Sequence, residues 1–188
     1  MRLQIGHTHE FDTALLDEVH RLLADVFGLS RGRREDDFSD DDWQHSLGGI
    51  HVLAFDDADG DIGAVVGHAA VVQRLMITGG RARRVGYVEG VGVRADHQGR
   101  GIGGQMMSVL EGVIERAFDF GALSSSDAAV PRYAGRGWVP WRGALSALTP
   151  AGTTATPEEE GGVYVWNVDI DIDITTELTC DWRPGDLW

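Results

Sequence analysis

One cysteine, Cys180, is all the thiol that this 188-residue chain carries. No internal disulfide can form, a usage that fits a reducing cytoplasm, and a lone thiol is a poor candidate nucleophile. Long apolar runs are missing too. Nothing approaches the roughly 18 residues that a membrane span needs. The opening MRLQIGHTHEFD has no apolar signal core, so no export is expected. Positive charge is scarce, with 16 basic against 30 acidic residues and a formal net charge of −14. That balance argues against nucleic acid as a partner. It fits cations, although acidic surfaces also serve solubility. The seven histidines form no HExxH or other zinc spacing, so no metal is expected.

What is present reads as one domain, 1–188, with a sizeable core. TALLDEVHRLLADVFG places Leu15, Leu16, Val19, Leu22, Leu23, Val26 and Phe27 at helical spacing. Asp12 or Thr13 caps this helix and Gly28 ends it. SRGRREDD follows as a loop. SDDDWQHSLGG then predicts a short helix capped by Ser39, with acids in its first turn and Gly48 at its end. Strands are predicted at 50–55, 63–77 and 84–95, joined by hairpin turns at Asp59-Gly60 and Gly79-Gly80. Next comes a helix with Ile102, Met106, Val109, Leu110, Val113, Ile114 and Ala117 on one face. GALSSS reads as a short strand. DAAVPRYAGRG reads as a short helix capped by Asp127, with Pro131 near its first turn. WVPWRGALSAL and GVYVWNVDI read as late strands, with LTPAGTTATPEEEGG a polar loop between them. His7 and His9 alternate like strand residues, and His68, in an apolar strand, reads as a satisfied core histidine. The order predicts a mixed α/β (α+β) fold.

DHQGRGIGGQMM, residues 96–107, concentrates four glycines in six positions ahead of an apolar-periodic helix. Glycine costs a helix roughly 0.5–1 kcal/mol per position relative to alanine, so the loop needs a reason. A helix N-terminus has unpaired amides and a positive dipole end, and glycines let an anion approach them. A Walker loop would need a following lysine, and a Rossmann fingerprint would need a βαβ setting; neither is present.

Gln98-Gly99-Arg100-Gly101-Ile102-Gly103 resembles the Q/R-x-x-G-x-G/A signature of the GCN5-related N-acetyltransferases. Tyr133 on a later short helix and the Gly137-Trp138 pair resemble further elements of that family. DFSDDDW, GYVEGV, GALSSS, TPEEEGG and the terminal CDWRPGDLW are similar to its aminoglycoside 2'-N-acetyltransferases, from Asp37 to Trp188. The resemblance implies the GCN5-related N-acetyltransferase fold, a mixed, mostly antiparallel central sheet with helices on both faces. It also implies acetyl-CoA as cofactor, a homodimer, and acetylation of the 2'-amino group of aminoglycosides by direct attack in a ternary complex.

Acetyl transfer to an amine needs a base for the ammonium, donors for the thioester oxygen and an acid for the departing sulfur. In GYVEGVGV, Gly86, Gly90 and Gly92 weaken regular pairing and suggest a bulge. The resemblance implies that Val91, Gly92 and Val93 offer amides to the thioester and pantetheine. It makes Glu89 the general base, through water, and sets Gly90 in the amine pocket. Residues 98 to 103 would hold the diphosphate, with Arg94 and Arg100 on cofactor phosphates. Tyr133, a phenol protonated at neutral pH, would be the general acid. Asp37, Asp42, Ser124, Glu158, Glu159, Asp186 and Trp188, with its terminal carboxylate, would face the drug, while Asp40 and Asp41 only support a helix start. The residues alone also allow plainer roles: a solvated strand carboxylate at 89, a core tyrosine at 133 and strand-edge serines at 124–126. Gln98 stands where arginine is commoner, Gly92 where relatives often have alanine, and glutamates at 158–160 where aspartates are frequent. Acetylation of another amine (polyamine, cell-wall precursor or protein N-terminus) and a non-catalytic acyl-CoA sensor stand as alternatives.

Overall fold

The structure is a computed structural model and describes residues 1–31, 38–58, 61–167 and 172–188. The chain divides into two compact units, Met1–Val72 with Val88–Gly112, and Gln73–Tyr87 with Val113–Trp188.

In the first unit, β1 (Arg2–His7) pairs antiparallel with β2 (Ile50–Ala58), which pairs antiparallel with β3 (Asp61–Thr78). Helix α1 (Thr13–Arg31) packs Val19, Leu22 and Leu23 into a core with Phe11, Trp43, Leu53, Phe55 and Val65. Asp12 is its cap, accepting the Leu15 amide at 2.8 Å. Gly28 does not end it. The helix runs to Arg31, because a cost near 1 kcal/mol is small beside the helical bonds and burial around it. Ser39 caps α2 (Asp40–Ser46) as predicted, in a reciprocal box with Asp42: the Ser39 amide donates to Asp42 Oδ2 at 2.7 Å and the Asp42 amide to Ser39 Oγ at 3.2 Å. The Asp59-Gly60 turn and residues 32–37 of the predicted loop lie outside the described residues.

The second unit takes the remainder of β3 and of β4 (Arg81–Val93), joined by left-handed Gly79 and Gly80 as predicted. Strand order there is β6 (Val139–Pro140), β9 (Val163–Trp166), β5 (Phe120–Ser124), β4, β3, β10 (Leu178–Cys180), β7 (Leu145–Thr149), β8 (Gly152–Ala155). The β4–β5 and β10–β7 pairs are parallel, while β5–β9, β6–β9, β7–β8 and β3–β10 are antiparallel, giving the mixed sheet expected. WVPWRGALSAL divides into β6 and β7. Part of the predicted polar loop is β8, since Gly152–Ala155 completes a hairpin with β7. β10 was not predicted from the sequence; of β1 only the strand-like alternation at His7 and His9 was read, and it holds for His7 at the end of β1, whereas His9 lies in the helical turn Thr8–Glu10.

Helix α3 (Ile102–Ala117) buries Ile102, Met106, Leu110 and Ile114 as its spacing predicts, while Ala117 is exposed. Helix α4 (Val130–Ala134) corrects the reading of Asp127. The residue before α4 is Ala129, already in helical conformation, and no side chain caps it. No helix among the described residues is long and apolar enough to cross a membrane.

Leu23 is fully buried on α1. Leu23→Ala is expected to lower unfolding free energy by about 2–5 kcal/mol, the usual range for such a cavity, measured by urea denaturation. A loss under about 1 kcal/mol would show that this core collapses around the hole.

Candidate active site

The first unit holds the residues predicted to handle the cofactor and the base. β4 departs from extended geometry at Gly90, whose φ is +58°. A side chain there would be strained, and its Cβ would lie 3.1 Å from the His68 ring and 3.2 Å from Leu23. Glu89, Gly90, Val91 and Val93 are half-buried at this kink, and Gly92 is buried. The strand then ends quickly. Gln98 Nε2 donates to the Val93 carbonyl at 3.0 Å and the Arg94 amide donates to the Val66 carbonyl at 2.9 Å.

Between β4 and α3 the backbone is left-handed at Gly99 and Gly101, with φ of +76° and +78°. Among the described residues, no atom beyond the adjoining residues of the chain lies within 4 Å of where either Cβ would stand. The first helical bond of α3 runs from the Gln105 amide to the Gly101 carbonyl at 3.1 Å, so the amides just before Gln105 have no partner within the helix. Amides at a helix N-terminus beside an uncrowded glycine turn suit the diphosphate of coenzyme A. An aspartate-histidine clamp braces this loop. His97 bonds Asp96 Oδ1 at 2.8 Å and Asp56 Oδ2 at 3.1 Å. Arg94 pairs with Asp96 at 3.2 Å, and Arg100 donates to the Asp96 carbonyl at 2.9 Å. Both arginines, expected on phosphates, thus lie on the acidic turn at residue 96. The bonds to Asp96 and then Asp56 raise the His97 pKa, and the bond to His97 is the main cause holding both aspartates below their ordinary range.

The second unit holds the predicted acid and most of the predicted carboxylates. Tyr133 is half-buried on α4 and meets Trp138 edge to face at 6.2 Å. Trp138 stacks on Trp166 at 6.1 Å, and left-handed Gly137 makes the turn that brings Trp138 back beside α4. Burial raises the Tyr133 phenol, which keeps its proton at neutral pH. Ser124 is exposed at the end of β5. Glu158 and Glu159 sit on a turn at Pro157–Glu159. Burial, then Asp186, then Glu158 raise the Glu159 carboxyl, so these three acids share one neighbourhood. Trp188 joins them, as it is buried and its indole donates to Thr156 Oγ1 at 2.9 Å.

The tail that carries Asp186 and Trp188 is tied down by residues the sequence reading missed. Arg74 is 3% exposed, donates to Asp181 Oδ1 at 2.8 Å and to its carbonyl at 2.9 Å, and lies 4.8 Å over the Tyr87 ring. Arg183 also lies over Tyr87 and donates to the Asp186 carbonyl at 2.7 Å. An arginine in an apolar strand was the available signal for Arg74. Burial raises the Cys180 thiol, which suits an inert core residue. Asp42 lies away from these acids in sequence and its carboxylate serves the α2 cap, while Asp37 lies outside the described residues.

Residues 8–140 match the GNAT acetyltransferase domain family. The chain belongs to the GNAT acetyltransferases. It is 42% identical to the aminoglycoside 2'-N-acetyltransferase of Mycolicibacterium fortuitum, over 98% of this chain and 91% of that one. Escherichia coli ElaA shares the fold at a TM-score of 0.56 and 19% identity, over 87% of this chain and 96% of that one. A chain of the NatC complex bound to Gag peptide and CoA does so at a TM-score of 0.60 and 13% identity, over 90% and 100%. As a GNAT acetyltransferase the protein uses acetyl-CoA, and its glycine loop fits that cofactor.

The His97 clamp gives a signed expectation. A raised imidazole pKa adds stability at low pH, and that stability is lost as pH rises through the raised value. Asp56→Asn is expected to move the His97 titration, followed by NMR, down toward the ordinary histidine value near 6.5. An unmoved midpoint would mean that Asp96 alone sets it.

Proposed function

We propose that the protein acetylates the 2'-amino group of aminoglycoside antibiotics by direct attack in a ternary complex, and so confers resistance. The observation that carries this is the identity of 42% over nearly the whole chain to an enzyme of that name. The gathering of Glu158, Glu159, Asp186 and the terminal residue supports it, because a polycationic drug is bound by crowded carboxylates. In this reading Asp37, Asp42, Ser124 and Gly90 complete the drug contacts.

Bound acetyl-CoA supplies the acetyl group as a thioester. The amides of residues 98 to 103 hold its diphosphate, and those of Val91 to Val93 its thioester oxygen and pantetheine. Glu89 accepts the ammonium proton through water, on its carboxylate. Tyr133 keeps a proton on its phenol oxygen for the departing sulfur. The active species is a cytoplasmic homodimer.

A paired thiol-release assay tests the regiochemistry. Kanamycin B, with a 2'-amine, is expected to release thiol, and kanamycin A, with a 2'-hydroxyl, is not; equal turnover would overturn the assignment. Glu89→Gln and Tyr133→Phe should each lower kcat on the order of 10²-fold or more. Calorimetry that finds coenzyme A binding without any turnover would instead mark a sensor.

A further inference from the structure

Two histidines that the acetylation chemistry does not use lie buried behind the kink at Gly90. His51 on β2 and His68 on β3 are both fully buried. Their rings meet through His51 Nδ1 and His68 Nε2 at 2.9 Å. The other nitrogen of His68, Nδ1, reaches the Gly90 carbonyl at 2.7 Å, and the other nitrogen of His51, Nε2, reaches Thr8 Oγ1 at 2.8 Å. Thr8 is itself anchored, because its Oγ1 accepts the Gly48 amide at 2.8 Å and its own amide donates to the Gly49 carbonyl at 3.1 Å. Trp43 packs against both rings, with centroids 6.3 and 6.1 Å away, and Phe11 meets His51 edge-on at 6.0 Å.

The far end of this chain fixes every proton in it. A carbonyl only accepts, so His68 Nδ1 carries a hydrogen. In a neutral ring Nε2 is then an acceptor, so His51 Nδ1 must donate to it. His51 Nε2 is left as an acceptor, and the Thr8 hydroxyl donates there. Burial is the main cause that depresses both rings, His68 to about 3 and His51 to about 4, with His51 adding to the effect at His68 and His7 adding to it at His51. The chain therefore has one arrangement at neutral pH, with all donors pointing toward Gly90. It ends on a group that cannot take up a proton, so it orients the backbone and does not conduct protons.

We propose that Thr8, His51 and His68 form a neutral strut that holds the Gly90 carbonyl, and that His51 and His68 are positioning residues for Glu89 and the Val91 amide on either side of it. The kinetic part rests on the acetyltransferase reading above; the strut itself does not. Gly90 is the residue that makes the contact possible, since any Cβ there would press on the His68 ring at 3.1 Å.

Imidazole ¹⁵N NMR at pH 7 tests the strut without substrate. Both rings are expected as neutral Nδ1–H tautomers, with the His68 signal coupled across the hydrogen bond to the Gly90 carbonyl. An Nε2–H tautomer or a charged ring at either position would overturn the proposal. Kinetics test the positioning. His68→Asn puts an amide donor near the place of Nδ1 and should retain most of kcat. His68→Leu keeps bulk without a donor and should lose on the order of 10²-fold in kcat, the scale of a small misplacement, with KM for acetyl-CoA little changed. Equal kcat in both variants, whether both fall or neither does, would overturn the positioning role. Should His68→Leu not fold, the tautomers together with His68→Asn decide. Wild-type failure to acetylate kanamycin B would sink the substrate reading and leave the strut to the NMR result.

Discussion

At Gly90 the chain has to do something a β-strand does not do, and the first unit is arranged around that residue. A left-handed backbone costs an ordinary residue roughly 1–2 kcal/mol, and here a side chain would also meet His68 and Leu23. The kink lets β4 stop pairing within three residues. It hands the Val93 carbonyl to a side chain and the Arg94 amide to Val66. Forgone ladder bonds cost about 0.5–1.5 kcal/mol each. The core beneath, where Val19, Leu23 and Leu53 are wholly buried, contributes more than that per side chain, so the irregular strand is held.

The second unit faces an electrostatic constraint of the opposite kind. Glu158, Glu159 and Asp186 repel one another, and after burial, the larger cause, this repulsion helps to raise the Glu159 carboxyl. A carboxyl whose pKa is higher in the folded state makes folding less favourable as pH rises through that value. An untethered acidic loop would relieve the strain by moving apart. This one cannot, because Trp188 is pinned to Thr156 and the tail before it is held at Asp181 and Asp186 by Arg74 and Arg183. Fixed, mutually repelling carboxylates are relieved by a bound cation, which then stabilises the folded chain by mass action.

Local signals carried the elements that the sequence announced. Ser39 as the α2 cap, the glycine pair at 79 and 80, and the periodic faces of α1 and, up to Ile114, of α3 all act within a few residues, and each formed as read. The misses depend on distant partners. β10 is three residues long and exists because Met76 and Leu145 flank it. β8 is a polar run that becomes a strand only against β7. Asp127 has the chemistry of a cap, but the backbone enters α4 through Ala129 already helical, which leaves its side chain no capping role. For the candidate site, the glycine loop, Tyr133 with Trp138 and the acids at 158, 159 and 186 could be read in advance. Arg74 and Asp181, 107 positions apart, could not be paired from sequence. His51 and His68 meet only through strand register, in which His68 lies opposite Leu53.

The two anchors differ in charge, and the surroundings account for the difference. Arg74 stays charged although buried, because Asp181 offers a carboxylate and Tyr87 a ring face, and a guanidinium without them would be costly to bury. At Gly90 a cation would hold the carbonyl more strongly, since charge-assisted bonds are about twice as strong as neutral ones. The residue before Gly90, however, is Glu89, the proposed base. A positive charge one peptide away would stabilise its carboxylate and lower its basicity. A neutral imidazole donor fixes the same backbone without that penalty on proton uptake. Burial of both rings, one bonded to the next, is what keeps the donor neutral.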